Sequence, residues 1–405
     1  MLSQLNVKKY LNKYAEPEQQ LLSTLPELEF KHGLVIPCYN ENVEFIHRID
    51  NAFAHNPTIV ILVINRPTDS EECKHNKALF DFFRNNKQTI WENSCLSLYK
   101  SHTSDDLTWL VVDRDEQQRT IPSKQGVGLA RKIGCDLAVK LFADRILKTH
   151  WIHCTDADTH LPENYFNLPE VNSFSVAIYS YKHTTNVSDS VISEATQTYE
   201  RALHYYVNGL KWAGSPYAFH TIGSTMAYNI AAYCAARGFP KRSAGEDFYL
   251  INKLIKLGPA FEVEGCILNI ESRLSQRVPF GTGPAVEKII ATARANQAYT
   301  YYSPEAFVQL KSWLDEIPKV WDALRSGNAP LSHLPTNSQK ALEEAGIARV
   351  FGHIRKQCKT PEQSTKTLHE WFDAFQTLKF IRRLQEYQYP PLPLPECLAL
   401  APWRQ

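Results

Sequence analysis

Four short apolar runs, each stopping abruptly at polar residues, limit what this chain can fold into: Gly33–Ile36, Thr58–Ile64, Leu107–Val112 and Trp151–Cys154. Runs of this length, rich in β-branched residues and bounded by turn formers, read as buried strands. Between them Phe45, Ile49, Ala52 and Phe53, then Leu79, Phe82 and Phe83, then Leu129, Ile133, Leu137 and Leu141 recur at roughly helical spacing. A further strand is read over Ser175–Ser180. Strands alternating with helices predict an α/β fold with a mainly parallel central sheet flanked by helices.

The rest of the chain is read the same way. Ser193–Leu210 has helical periodicity, and Phe219–Tyr228 reads as a strand with Gly223 where something can approach the backbone. A short helix is expected over Ala231–Arg237, another from Ser243 to Gly258, and a last strand over Phe261–Ile270. Past about Val286 only helices are expected. Ser303-Pro304-Glu305 and Thr360-Pro361-Glu362-Gln363 read as helix caps, and Pro318 should kink or end a helix. Pro390, Pro391, Pro393 and Pro395 predict an extended tail from Tyr389. The expected division is a helical lead-in over residues 1–30, the main domain over 31–285, and a helical subdomain with a proline-rich tail over 286–405.

Composition narrows the function. The 44 Lys and Arg almost balance the 43 Asp and Glu, so nucleic acid and anionic membrane lose the bulk attraction they would need. The nine cysteines are scattered and form no Cys-x-x-Cys pair, which signals neither a disulfide framework nor a zinc site. No run of about 18 apolar residues predicts a membrane span, and Met1–Ala15 is a poor secretory signal. A cytoplasmic protein without integral membrane segments is expected.

Chemistry gathers at the ends of the apolar runs. Asp156-Ala-Asp158 follows the fourth run, where open α/β sheets bind ligands. Two carboxylates one residue apart can turn toward one ion, and hard oxygens suit Mg2+ or Mn2+. The plainer reading is a solvated turn, and His160 reads more simply as a surface group than as a third ligand. Glu246 and Asp247 open a helix, where the positive dipole end favours acids and mutual repulsion pushes their pKa values apart.

Val35-Ile-Pro37-Cys-Tyr39-Asn40-Glu41, then Gly126-Val-Gly-Leu-Ala-Arg131-Lys-Ile-Gly134, then Thr155-Asp156-Ala-Asp158, then Gly245-Glu246-Asp247 together resemble the successive motifs of family 2 glycosyltransferases, which have the GT-A fold. The resemblance spans about residues 33–283 and lies in motif type, order and spacing. It implies a metal-dependent, inverting transfer from a nucleotide-diphospho-sugar donor to an acceptor hydroxyl, on a small molecule or on a glycan or lipid-linked acceptor. It implies nucleotide contacts from Pro37, Tyr39, Glu41 and Arg131, metal and diphosphate binding by Asp156 and Asp158, and Asp247 as base with Glu246 beside it. Gly223 and Ser224 would border the acceptor.

The sequence departs from that family in two places. Asn65-Arg66-Pro67-Thr68-Asp69 stands where an acidic base-reading turn is usual, leaving Asn65 or Asp69 to replace it in part. The Gln-x-x-Arg-Trp motif of processive synthases is missing, while Arg273 and Arg277 sit on a glycine-containing loop that could cover the diphosphate. A retaining transferase of the mannosylglycerate-synthase kind, a nucleotidyltransferase and a non-catalytic binding protein stay open as alternatives. The stripe of Trp371, Phe372 and Phe375 reads first as core, and otherwise as an acceptor platform or a homo-oligomer contact.

Overall fold

A computed structural model of the chain describes residues 2–101, 104, 106–170, 173–184, 190–272 and 281–404. It divides into two compact units, residues 1–193 with 221–285 and residues 194–220 with 286–405.

The first unit is built on one ten-stranded sheet. Its elements begin with α1 (Leu2–Lys13), β1 (His32–Cys38), α2 (Glu44–Ala52), β2 (Thr58–Asn65), α3 (Lys74–Asn86), β3 (Gln88–Asn93) and β4 (Leu96–Lys100). They continue with β5 (Leu107–Arg114), α4 (Gly126–Ala143), β6 (Trp151–Cys154), β7 (Thr159–His160) and β8 (Val176–Thr184). Beyond α5 (Ser190–Trp212), most of which belongs to the second unit, come β9 (Met226–Asn229), α6 (Ile230–Ala235), α7 (Glu246–Leu254) and β10 (Ala260–Glu271).

The strand order is β3-β4-β5-β2-β1-β6-β9-β8-β10-β7. At its centre β5, β2, β1 and β6 run parallel, and β4 and β9 flank them antiparallel. Every residue of β1 and β2 is buried, as expected for a parallel centre covered on both faces. The chain moves outward from β1 to β2 to β5, then returns to lay β6 on the other side of β1. A topological switch point therefore falls at the carboxyl ends of β1 and β6, where such sheets open a ligand crevice.

The α/β expectation is met, with local differences. The β3–β4 hairpin adds an antiparallel edge that the sequence reading omits. The strand expected over Phe219–Tyr228 is confined to Met226–Asn229, because Gly223–Thr225 instead form a 3-10 turn around the side chain of Arg131. His153 on β6 is fully buried between Tyr165 and Phe166. Burial, helped by His32, pushes it down to about 3, so it packs as a neutral aromatic ring. The lead-in is tied to the sheet's cover, since the Tyr10 hydroxyl donates to Asp136 of α4 at 2.5 Å.

The second unit contains α8 (Thr282–Arg294, from Val286), β11 (Thr300–Tyr301), α9 (Pro304–Glu316), α10 (Val320–Arg325), α11 (Thr336–Glu344) and α12 (Ile347–Gln357). It ends with α13 (Pro361–Trp371), α14 (Ala374–Tyr387), β12 (Leu392–Pro393) and α15 (Leu394–Leu400). Phe307, Trp313, Phe372 and Phe380 are buried in its core. The Ser303 and Thr360 hydroxyls accept from the Glu305 and Gln363 amides at 3.3 Å each, so both caps form as read. Residues 194–220, grouped by the sequence reading with 31–285, pack here because Tyr205, Leu210 and Ala213 enter the same core as Phe307. The tail is not extended throughout: Leu392–Pro393 pairs with Thr300–Tyr301 and α15 follows. Proline is tolerated in a first helical turn because its missing N–H has no partner there to lose. Among the described residues no helix is long and apolar enough to cross a membrane.

Candidate active site

The corner at the ends of β1 and β6 is organised by one buried arginine. Arg131 lies on α4 and is 4% exposed. Its Nη2 donates to Asp156 Oδ1 at 2.7 Å, just past β6, and its Nε to Glu246 Oε1 at 2.9 Å, at the start of α7. Its Nη1 donates to Gly223 O and to Cys154 Sγ, each at 3.1 Å. Three segments remote in sequence are thus pinned to one guanidinium. A Cβ at position 223 would meet Nη2 at 2.7 Å, so a side chain there would displace the arginine.

The electrostatics follow from this packing. Burial opposes the charge of Arg131, but Asp156, Cys154 and Glu246 outweigh it and hold the guanidinium above its ordinary value. Burial and the neighbouring Asp247 push Glu246 up to about 7 against the pull of Arg131. Burial likewise raises Asp247, opposed by Arg131 and by the Phe248 amide, which donates to Asp247 Oδ1 at 2.7 Å.

Asp156 keeps 35% of its side chain exposed, and Asp158 is half-buried. Their loop is clamped by Arg48 of α2, which donates to Ala157 O at 2.7 Å and pairs with Glu271 at 3.1 Å. His160 Nε2 meets the same Glu271 carboxylate at 2.9 Å. Arg48 and Glu271 carry no sequence signal, because an arginine on the polar face of an amphipathic helix looks like any solvated charge.

Asp156 and Asp158 are the residues that would hold a small divalent cation. Asp156 and Asp158 offer hard oxygens, Asp156 Oδ1 already accepts from Arg131, and among the described residues no three His, Cys, Asp or Glu converge to hold a metal alone. Mg2+ and Mn2+ bind in this manner, through one or two carboxylates plus phosphate oxygens.

On the β2 side of the switch point Pro37 is buried within β1, and Tyr39 and Glu41 lie half-buried just beyond it. Asn65 is 6% exposed, and its amide donates to Cys38 O at 3.0 Å and Val63 O at 3.2 Å. Asn76 of α3 donates to Asn65 O at 3.0 Å and to Asp115 Oδ1 at 2.8 Å. Arg66 Nε donates to the same Asp115 oxygen at 3.1 Å. The carboxylate in this corner is therefore that of Asp115, which the sequence shows only as an acid past the end of β5. Asp69 accepts from the Ser123 hydroxyl. Gly223 and Ser224 are buried in the 3-10 turn, and Arg273 and Arg277 lie outside the described residues.

No protein-family model matches the sequence, and no curated protein does. Among solved structures the chain is similar to S. aureus TarS 1-349 in complex with UDP-GlcNAc, at 13% identity over 84% of this chain and 91% of that one, with a TM-score of 0.35. It is also similar to GalNAc-T7 with UDP, GalNAc and Mn2+, at 10% identity over 65% of this chain and 48% of that one, with a TM-score of 0.34.

Proposed function

We propose that this protein is a glycosyltransferase of GT-A architecture, moving a sugar from a nucleotide-diphospho-sugar to an acceptor hydroxyl with inversion. The observation that carries the reading is Arg131, which joins the strand-end acid Asp156 to the helix-start acid Glu246 at the switch point of a parallel sheet.

In this reading the nucleotide lies across the ends of β1 and β2, against Pro37, Tyr39, Glu41 and the Asn65–Asp115 corner. Asp156 and Asp158 would hold Mg2+ or Mn2+, which when bound would neutralise charge on the diphosphate leaving group. Asp247 removes the acceptor proton as the hydroxyl attacks the anomeric carbon. Its raised pKa makes it a stronger base than a solvated aspartate. Arg131 fixes Glu246 and Asp156, so base and diphosphate corner keep one spacing. Gly223 and Ser224 border the acceptor side.

Thermal shift against UDP-, GDP-, CMP- and dTDP-sugars, with and without Mn2+, tests the reading. A stabilisation by one nucleotide class that grows with Mn2+ is the expected result. No shift with any donor would sink it. The anomeric configuration of the product then separates inversion from retention.

A further inference from the structure

The second unit holds a groove of about 530 Å3 between α5, α8 and α15. That volume lies within the range of about 300–1,000 Å3 usual for small-ligand sites. Its walls include the apolar side chains of Ile289, Ala293, Leu394 and Leu398, and both Arg201 and Arg404 border it. Leu394 is 2% exposed, so the groove has a solid apolar floor.

The two arginines set the charge of the groove. Arg201 Nη2 donates to Thr198 Oγ1 at 3.3 Å and Arg404 Nη1 to Ala399 O at 3.0 Å, both neutral acceptors. Among the described residues neither guanidinium forms an ion pair with a carboxylate. An apolar trough bordered by two cations without counter-ions complements one kind of small molecule, a hydrocarbon chain ending in an anion. The planar fork of arginine accepts a carboxylate or a phosphate equally well in geometry.

We propose that this groove binds a single-chain amphipathic anion, its hydrocarbon against Ile289, Ala293, Leu394 and Leu398 and its head group on Arg201 and Arg404. The proposal stands on the second unit alone and does not require the transfer reaction.

Titration of the full chain with a fluorescent polyene fatty acid, displaced by palmitate, dodecyl phosphate or neutral dodecyl maltoside, tests it. Saturable binding near one equivalent is expected, with at least tenfold weaker competition by the maltoside. Palmitate against dodecyl phosphate then assigns the head group. Arg201→Ala with Arg404→Ala should weaken binding at least tenfold, and Ala293→Trp should block it. Arg201, Ala293 and Arg404 are exposed, and an unchanged melting temperature verifies that the variants fold. Absence of saturable binding, equal competition by the neutral detergent, or binding unmoved by these variants would overturn the proposal.

Discussion

Arg131 and Lys132 are neighbours on α4, yet each anchors a different buried charge cluster, about 100° apart around the helix. On the Lys132 face, Asp136 Oδ1 accepts from the Tyr10 hydroxyl at 2.5 Å and the Tyr233 hydroxyl at 3.1 Å. Its Oδ2 accepts from Lys132 Nζ at 2.9 Å and the Glu16 amide at 2.8 Å. One cation faces one anion and every oxygen is satisfied. On the Arg131 face a single guanidinium serves Asp156, Glu246 and Asp247, and burial keeps the latter two above their ordinary pKa values. Saturated and neutral, the first cluster can only hold the fold together. The second gathers more acid than its one guanidinium can neutralise, at the switch point of the sheet.

The sharpest way to break this contrast is Asp247→Asn. If Asp247 is the base, kcat should fall by about 10²–10⁴-fold, with the melting temperature held or raised, because burial already disfavours its charge. A turnover assay beside a thermal melt reads both, and undiminished kcat would end the assignment.

Next in size are the two anchors. Arg131→Ala and Asp136→Asn each leave buried charge uncompensated, and each should cost about 3–5 kcal/mol in denaturant unfolding. They should part company in activity, with Arg131→Ala inactive and Asp136→Asn within about twofold of wild type per folded molecule.

Titration of activity gives a smaller effect. A base works ionised, so kcat/KM should fall as the pH drops through the pKa of Asp247, which burial holds above the usual aspartate value. Glu246→Gln removes a neighbouring negative charge and should move that limb to lower pH. Asp136→Asn should leave the limb in place. Smallest is Tyr10→Phe, which deletes one donor to Asp136 and should lower unfolding stability by about 1 kcal/mol with kcat/KM unchanged.

The contrast also explains what the sequence made legible. The central strands were readable because Thr58–Ile64 and its companions are apolar along their whole length, as burial on both faces requires. Asp156, Glu246 and Asp247 were readable because each ends or begins an element. Arg131 came only with the family resemblance, and nothing local says that its partners lie 25 and 115 residues away. Arg48, Asn76 and Asp115 were illegible as site residues because their significance is entirely tertiary. Phe219–Ile222 reads like strand because Phe219, Thr221 and Ile222 are aromatic or β-branched, while the turn they lead into is dictated by a side chain on another element.

Gly128 has a bearing on how such a site could be altered. Its amide donates to Arg242 O at 2.9 Å, and a Cβ there would meet Pro240 O at 2.5 Å and Arg242 O at 2.6 Å. The helix bearing Arg131 is therefore seated main chain to main chain against the segment that leads into α7, like a gauge block between two machined faces. Under the proposed function, variation in specificity would come from the loops around that fixed gap, and a library randomised at position 128 should return glycine alone.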